Sequence, residues 1–441
     1  MAGRWGSDES GHCLLRDGEP WFLLGDTAWE LLRRLTDDEA EEYLRTRAEQ
    51  GYNTVLTVAL SEFDGLGVPS VGGHLPFHDL DSDRPNEPYW AHVDAVIRRA
   101  ADYGLTVGLL PTWGSNWHDE RDGSPYFGPE SARRFAEWIA RRYVGEDVIW
   151  VLGGDRPVTT PEHHAVIGAF AAGLRAVVGN RQLITFHPAG ARSSSDFLPD
   201  ADWLDFHMSQ SGHTGWGTPN YQLIHQDYVR TPAKPTLDAE PNYEHHPVMS
   251  QNWQPVPGYL FDEVDVRRAA YHAVFYGAAG HVYGCHEVWQ MHDPDRGPGI
   301  GVGEASLRWR EALTLPGAVQ MGHLASLVQE LELLKWEPSG RLIRSDRGMC
   351  GSHIAVLADR RLPRFLAYVP QGRAVDVDAT WLPDSGKGHW SARWWDPRTG
   401  EWLPGTERIE AARVSAARTS GRGFVIGHPR PDGDAVLLLG R

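Results

Sequence analysis

The sequence predicts an α/β chain, a (β/α)8 TIM barrel followed by a smaller C-terminal antiparallel β-sandwich domain, and three observations carry the prediction. Between residue 21 and about residue 290, short β-branched apolar runs alternate with amphipathic helical stretches, the pattern of βα units on a parallel sheet. The runs number eight, as a closed barrel requires. From about residue 341 the pattern changes to short alternating segments punctuated by Gly, Pro and Asp, which reads as an antiparallel sandwich. A length of 441 residues suits a barrel plus a second module, so the expected division is 1–335 for the barrel and 336–441 for the β-domain.

The eight runs lie at 21–25 (WFLLG), 54–60 (TVLTVAL), 106–111 (TVGLLP), 148–153 (VIWVLG), 182–187 (QLITFH), 203–208 (WLDFHM), 235–239 (PTLDA) and 281–289 (HVYGCHEVW). Between the first two, Thr36-Asp37-Asp38-Glu39 is a capping box that starts a helix, and Gly51 sits where a left-handed C-terminal residue belongs. Apolar stripes at helical spacing predict further helices over 89–103, 129–143, 161–178 and 262–276, and a closing or linking helix over 307–334. Long loops rich in Gly, Pro, Trp or His at 61–88, 114–128 and 241–258 follow strands, the end of a barrel where active sites are built. In the last hundred residues, 353–358, 364–369 and 435–439 read as strands, with no flexible linker before them, which predicts tight packing on the barrel.

Composition removes several classes of function. With 42 basic and 59 acidic residues the net charge is −17, a surface that repels phosphate backbones and anionic headgroups, so neither nucleic acid nor membrane is an expected partner. Cys13, Cys285 and Cys350 are odd in number and widely spaced, and read as free thiols. No apolar run approaches the roughly 20 residues of a membrane span. The start MAGRWGSDES lacks an apolar signal-peptide core, which predicts a cytoplasmic protein unless an export signal has been trimmed away. Oligomeric state is left open, a homo-oligomer included. The 19 tryptophans, many in turn-like contexts beside Gly, His or Asp, suit stacking on sugar rings as well as packing between barrel and helices.

Reacting groups of such a barrel stand at the C-terminal ends of its strands. The polar residues closing the runs are Asp26 and Trp29, Glu62 and Asp64, Trp113 and Trp117, Asp155, His187, His207 and Gln210, Glu240 and Tyr243, then His286, Glu287 and Trp289. Glycoside hydrolysis needs one carboxyl group to protonate the leaving oxygen and a second to attack the anomeric carbon or activate water. Asp155 and Glu240 are the candidates, since Asp155 follows an apolar run and two glycines that admit close backbone approach, and Glu240 follows PTLDA and precedes Pro241. Structural roles compete: Asp155 could cap a helix or pair with Arg156, and Glu240 could pair with an arginine such as Arg267. Asp26, Glu62 and Asp64 could bind sugar hydroxyls, His187, His207 and His286 could do so or position Glu240, and Trp29, Trp113, Tyr243 and Trp289 could stack on the ring.

Several segments together resemble a known family: FLLGDTAWELLRRLT, LSEFDGL, LLPTWG, VIWVLGGDR, TFHPAGARSSS, MSQSGH and LDAEPNYE are similar to the apiosidase-like (β/α)8 family, glycoside hydrolase family 140. The likeness spans essentially the whole chain, because WWDPRTGEW resembles a segment of the appended β-domain named for collagen binding, a name that implies no collagen binding here. The resemblance implies a retaining exo-glycosidase with Asp155 as acid/base and Glu240 as nucleophile. It implies terminal β-D-apiose or a related pentofuranose as the sugar released from oligosaccharides or plant glycosides, with no metal or organic cofactor. Two other readings stay open: a non-catalytic barrel that only binds carbohydrate, and a metal-dependent amidohydrolase-type barrel. The second is disfavoured because the first strand ends in Gly-Asp-Thr rather than His-x-His, and because His163-His164 and His245-His246 are adjacent pairs.

Overall fold

The computed structural model describes residues 3–63, 65–118, 125–344, 346–383 and 388–441. Eight parallel strands form the barrel: β1 (Leu23–Thr27), β2 (Thr54–Val58), β3 (Thr106–Leu110), β4 (Val148–Gly153), β5 (Ile184–His187), β6 (His207–Gln210), β7 (Thr236–Asp238) and β8 (Gly280–Tyr283). The ladder runs β5-β4-β3-β2-β1-β8-β7-β6. At the seam between β5 and β6 the Asp205 amide donates to the Ile184 carbonyl at 2.9 Å, and the Ile184 amide donates to the Asp205 carboxylate at 2.7 Å. A side chain thus stands in for the ladder just before β6, which is why that strand starts four residues later than the run at 203 predicts.

Alternation along the strands sorts side chains into two layers. Leu23, Leu56, Leu110, Ile149, Met208 and Val282 meet inside the barrel. Their strand neighbours Leu24, Val55, Leu109, Trp150, Phe186 and Tyr283 face the helices. Those helices are α1 (Asp37–Glu49), α2 (Glu87–Asp102), α3 (Pro129–Tyr143), α4 (Pro161–Val178), α5 (Asn220–Tyr228), α6 (Glu263–Phe275) and α7 (Pro316–Leu331). The capping box of α1 is formed, Thr36 Oγ1 accepting from the Glu39 amide at 3.4 Å and Glu39 from the Thr36 amide at 3.0 Å, and Gly51 takes φ 90° beyond its end.

Three segments depart from expectation. The eighth run stops at Tyr283 because Gly284 lies against the Tyr243 ring, where a Cβ would stand 2.0 Å from it, and a short helix His286–Trp289 follows. The stretch 307–334 breaks into Trp309–Ala312 and α7, which begins at Pro316, a residue without an amide proton to continue a helix. Helix α5, between β6 and β7, was not expected, and only the short helix Ser194–Phe197 lies between β5 and β6.

The C-terminal domain has strands β9 (Trp336–Pro338), β10 (Ala355–Asp359), β11 (Phe365–Val369), β12 (Val375–Asp378), β13 (His389–Asp396), β14 (Glu401–Trp402), β15 (Glu407–Glu410), β16 (Gly423–Ile426) and β17 (Ala435–Gly440). They pair antiparallel in a sheet ordered β9-β10-β11-β17-β13-β14, with β15 also on β13, and in a second sheet of β12 and β16. Phe365, Leu437 and Leu439 of one sheet pack on Val375, Phe424 and Ile426 of the other. The domain docks on the barrel through Leu357, Leu366, Tyr368 and Val436, which join the core around α6 and α7. Arg267 of α6 is committed to this seam. Its guanidinium donates to both Asp434 oxygens at 2.7 and 2.8 Å, and the pair is buried.

Candidate active site

Asp155 is delivered by β4, whose six residues are all buried. Gly153, Gly154 and Asp155 take φ of 97°, 92° and 60° in succession. A Cβ at Gly153 would lie 2.2 Å from the His187 carbonyl, and one at Gly154 would lie 2.7 Å from the Gly114 amide, so no larger residue fits either position. The turn is held by Gly114 N donating to Gly154 O at 3.0 Å and by the Trp117 indole donating to Gly153 O at 2.8 Å. A left-handed aspartate costs about 1–3 kcal/mol, which the surrounding bonds offset. Burial and then the charge of Glu240 push the Asp155 carboxyl up to about 7, while Arg156, 3.3 Å from Oδ2, and His187 pull it down.

Glu240 leaves the end of β7 and is met by an amide and two imidazoles. Gln210 Nε2 donates to Oε1 at 2.7 Å, His213 Nε2 stands 3.3 Å from Oε1, and His187 Nε2 stands 3.2 Å from Oε2. A carboxylate only accepts, so His213 turns an Nε2 proton toward it. Burial acts to raise the Glu240 carboxyl, but the hydrogen bonds and charge of His187 and His213 outweigh it and hold the group well below the usual carboxylate range. The supporting layer is Asp238, whose carboxyl accepts from Ser211 Oγ at 2.7 Å and Asn220 Nδ2 at 2.9 Å, with Gly212 N donating to Glu240 O at 2.9 Å. These bonds tie the loop bearing His213 to the end of β7.

Both carboxylates line one pocket of about 160 Å³ with Trp29, Glu62, Phe63, Trp113 and Tyr243. The Trp29 ring sits edge-on to Trp113 at 5.2 Å and to His187 at 5.4 Å, and Phe63 faces Trp289 at 6.0 Å. The Asp155 side chain is 35 % exposed and that of Glu240 only 9 %. One acid thus reaches an approaching oxygen and water while the other is shielded. Arg156 bridges toward Glu62 at 3.5 Å, and burial raises the Glu62 carboxyl against that charge.

The family model described as "Apiosidase-like, catalytic domain" matches residues 8–335. The chain belongs to the apiosidase-like family of glycoside hydrolases. A second model, "Putative collagen-binding domain of a collagenase", matches residues 338–437. Among solved structures, the chain is 28 % identical to a glycoside hydrolase with a TM-score of 0.85, over 99 % of this chain and 97 % of that one. It is 27 % identical to a family 5 glycoside hydrolase from Bacteroides vulgatus, TM-score 0.83, over 99 % and 93 % of the two chains. A family 5 mannosidase from Rhizomucor miehei, 12 % identical with a TM-score of 0.51 over 75 % and 98 %, shares the fold alone. No curated protein matched.

Of the residues the sequence proposes for this apiosidase-like site, Trp29, Glu62, Trp113, Asp155, Gln210, Glu240, Tyr243 and Trp289 line the pocket, and His187 stands behind Glu240. Asp64 lies outside the described residues. Three others the structure places away from the pocket lining. Asp26 faces outward from β1 into a fully buried ion pair with Arg47 at 2.7 Å and accepts from the Tyr43 hydroxyl at 2.5 Å. His207 faces outward from the start of β6 with Nδ1 3.0 Å from Ser194 Oγ, and burial pushes it down to about 4. His286 lies behind the lining, its ring 5.0 Å from His246 and Nδ1 3.5 Å from the Trp289 indole. Sequence reasoning missed Phe63, His213, His246, Trp253, Gly301 and Val302. Phe63, His246 and Trp253 stand in loops that length and composition mark as site-building, whereas the loops carrying His213 and the Gly301–Val302 pair had no such mark. The adjacent pair His245 and His246 diverges, one ring 3.5 Å from Glu287 and the other 2.7 Å from the Pro247 carbonyl.

Proposed function

We propose that this glycoside hydrolase is a retaining exo-enzyme that releases a terminal furanose, β-D-apiose or a related pentofuranose, with Glu240 as nucleophile and Asp155 as acid/base. The observation that supports the division of roles is the opposite tuning of two carboxyls in one pocket: Glu240 is kept ionised by His187 and His213, while Asp155 is pushed up to about 7. In the first step a Glu240 oxygen attacks the anomeric carbon as the glycosidic bond breaks, and the Asp155 proton goes to the leaving oxygen. Esterification removes the Glu240 charge that raises Asp155, so the Asp155 carboxyl falls and becomes a competent base for the second step. Water then gives its proton to Asp155, attacks the anomeric carbon and frees Glu240. A volume of about 160 Å³, against roughly 300–1,000 Å³ for pockets of drug-sized ligands, supports a single terminal sugar as occupant.

The test is hydrolysis of 4-nitrophenyl β-D-apiofuranoside and apiosylated glycosides, with the anomer of the first-formed sugar followed by NMR. Retained configuration, loss of about 10²–10⁴-fold in kcat for Asp155→Ala on a poor leaving group, and azide rescue of Glu240→Ala are expected. Inverted product, or binding of sugar without turnover by the wild type, would sink the proposal.

A further inference from the structure

Sixteen of the 19 tryptophans are buried or half-buried, and only Trp216, Trp253 and Trp381 are exposed. Two of those three stand on the loops that leave the C-terminal ends of β6 and β7, the end of the barrel that holds Asp155 and Glu240. Trp253 sits at the tip of a hairpin whose strands Pro247–Met249 and Pro255–Leu260 pair antiparallel, takes φ 56° there, and lines the carboxylate pocket. Its amide donates to Ser250 O at 2.9 Å, which fixes the tip. Trp216 lies between Gly215 and Gly217, at φ 76° and 61°, with its ring edge-on to Tyr259 of the hairpin at 5.0 Å. Gly215 N donates to Met249 O at 3.0 Å and Met249 N to His213 O at 2.9 Å, so hairpin and loop are joined to the segment that positions Glu240.

Leaving these rings in water forgoes the hydrophobic free energy the other tryptophans gain. The segments that carry them say what compensates. Residues 208–226 and 245–261 contain no Asp, Glu, Lys or Arg of their own, in a chain of which 23 % is charged, and the charges that approach them include Arg268 beside Gly217 and the pocket carboxylates. The segments themselves offer the amides of Gln251, Asn252 and Gln254 around Trp253. A nucleic acid, an anionic lipid surface or a charged protein rim would be met by charge. A neutral sugar ring needs an aromatic face for its C–H bonds and amides for its hydroxyls.

We propose that the hairpin and the Trp216 loop form leaving-group subsites for a neutral oligosaccharide. Trp253 stacks on the sugar next to the cleaved bond, and the Trp216–Tyr259 pair stacks on one further out. Tyr259 lies four residues along the strand that begins at Pro255 just after the tip, about 13 Å, a span that suits a leaving group of more than one ring rather than a compact aryl aglycone. This deepens the glycosidase reading and rests on it.

The experiment compares kcat/KM on 4-nitrophenyl β-D-apiofuranoside with kcat/KM on apiose-terminated oligosaccharides of neutral sugars. In Trp216→Ala and Tyr259→Ala the ratio of oligosaccharide to aryl substrate is expected to fall about tenfold, through KM, and Trp216→Phe to restore it. A ratio unchanged in both variants overturns the proposal. Independently of turnover, the Glu240→Gln protein titrated with the same oligosaccharide should quench tryptophan fluorescence, with a Kd about tenfold weaker once Trp216→Ala is added. An equal Kd, no binding, or a sugar-independent dimer that Trp216→Ala dissociates in sedimentation overturns it. Binding that depends on Trp216 in a wild type that hydrolyses neither substrate would support the subsites while removing the hydrolase mechanism.

Discussion

Asp26 and Glu240 stand near the ends of β1 and β7, in the same barrel and both shut away from water, yet the protein uses them in opposite ways. Asp26 occupies the outward register of its strand with Leu24, beneath α1, where Arg47 supplies a full positive charge at 2.7 Å. Glu240 lies beyond the last residue of β7 and turns into the mouth, where it meets two imidazoles and an amide rather than an arginine. An arginine would hold a carboxylate in place and neutralise it. On the proposed mechanism, an amide and two imidazoles hold it without the permanent counter-charge of a guanidinium, leaving its charge available to a cationic anomeric carbon. Burial at a strand end therefore says little by itself, and the identity of the partner says whether the group stabilises or reacts.

That contrast can be broken with a matched pair of substitutions. Glu240→Gln should lower kcat on the order of 10⁴-fold or more while shifting stability by no more than about 1 kcal/mol, because the amide keeps the size of the group and most of its hydrogen bonds. Stopped assays beside urea unfolding would check both halves, and an active Glu240→Gln enzyme would place the nucleophile elsewhere. Asp26→Asn should do the reverse. It leaves the Arg47 guanidinium buried without its counter-charge, at a cost of about 3–5 kcal/mol in unfolding free energy, with activity per folded molecule retained. A loss of turnover without a loss of stability would return Asp26 to the substrate site.

The same period of two explains what could be read from the residues alone. The eight runs, the capping box at Thr36 and the helices over α3 and α4 were legible because apolar periodicity and end signals are local. Polar residues at strand ends were legible as a set, and the alternation Leu23 in, Leu24 out, Gly25 in already places Asp26 outward. Met208 faces inward, so His207 must face outward and Gln210 inward, again from the sequence register. What local signals could not supply was tertiary. His213 reaches Glu240 because Asp238 holds the preceding loop through Ser211 and Asn220. Trp253 reaches the pocket because a hairpin forms within a segment that reads only as a Pro-rich loop.

His213 sharpens the distinction at an intermediate scale. Its ring stacks on His246 at 4.0 Å, so His213→Ala removes one donor to Glu240 and leaves His187 and Gln210 in place. A hydrogen bond to a charged group contributes about 1.5–3 kcal/mol, which predicts a fall of about 10–100-fold in kcat/KM. The loss disfavours the ionised form of Glu240, so its carboxyl rises and the acid limb of the pH–rate profile should move to higher pH. A reduced rate with an unmoved acid limb would mean that His213 acts on substrate and not on Glu240.

The smallest effect concerns the other carboxyl. With Asp155 at about 7 as the general acid, kcat/KM should fall on the alkaline side as that proton is lost, while the acid limb lies far lower because Glu240 is held ionised. The charge of Glu62 is among the influences that raise Asp155, and Arg156, shared between Glu62 at 3.5 Å and Asp155 at 3.3 Å, opposes it. Glu62→Gln removes the negative charge and with it one competitor of Asp155 for Arg156. Both changes lower the Asp155 carboxyl, so the alkaline limb should move to lower pH by less than about one unit. Burial raises the Glu62 carboxyl as well, so the size of the movement reports its ionisation. A full shift means Glu62 is charged beside Asp155 in the working enzyme, and an unmoved limb means it works protonated, donating a hydrogen bond where a carboxylate could only accept one.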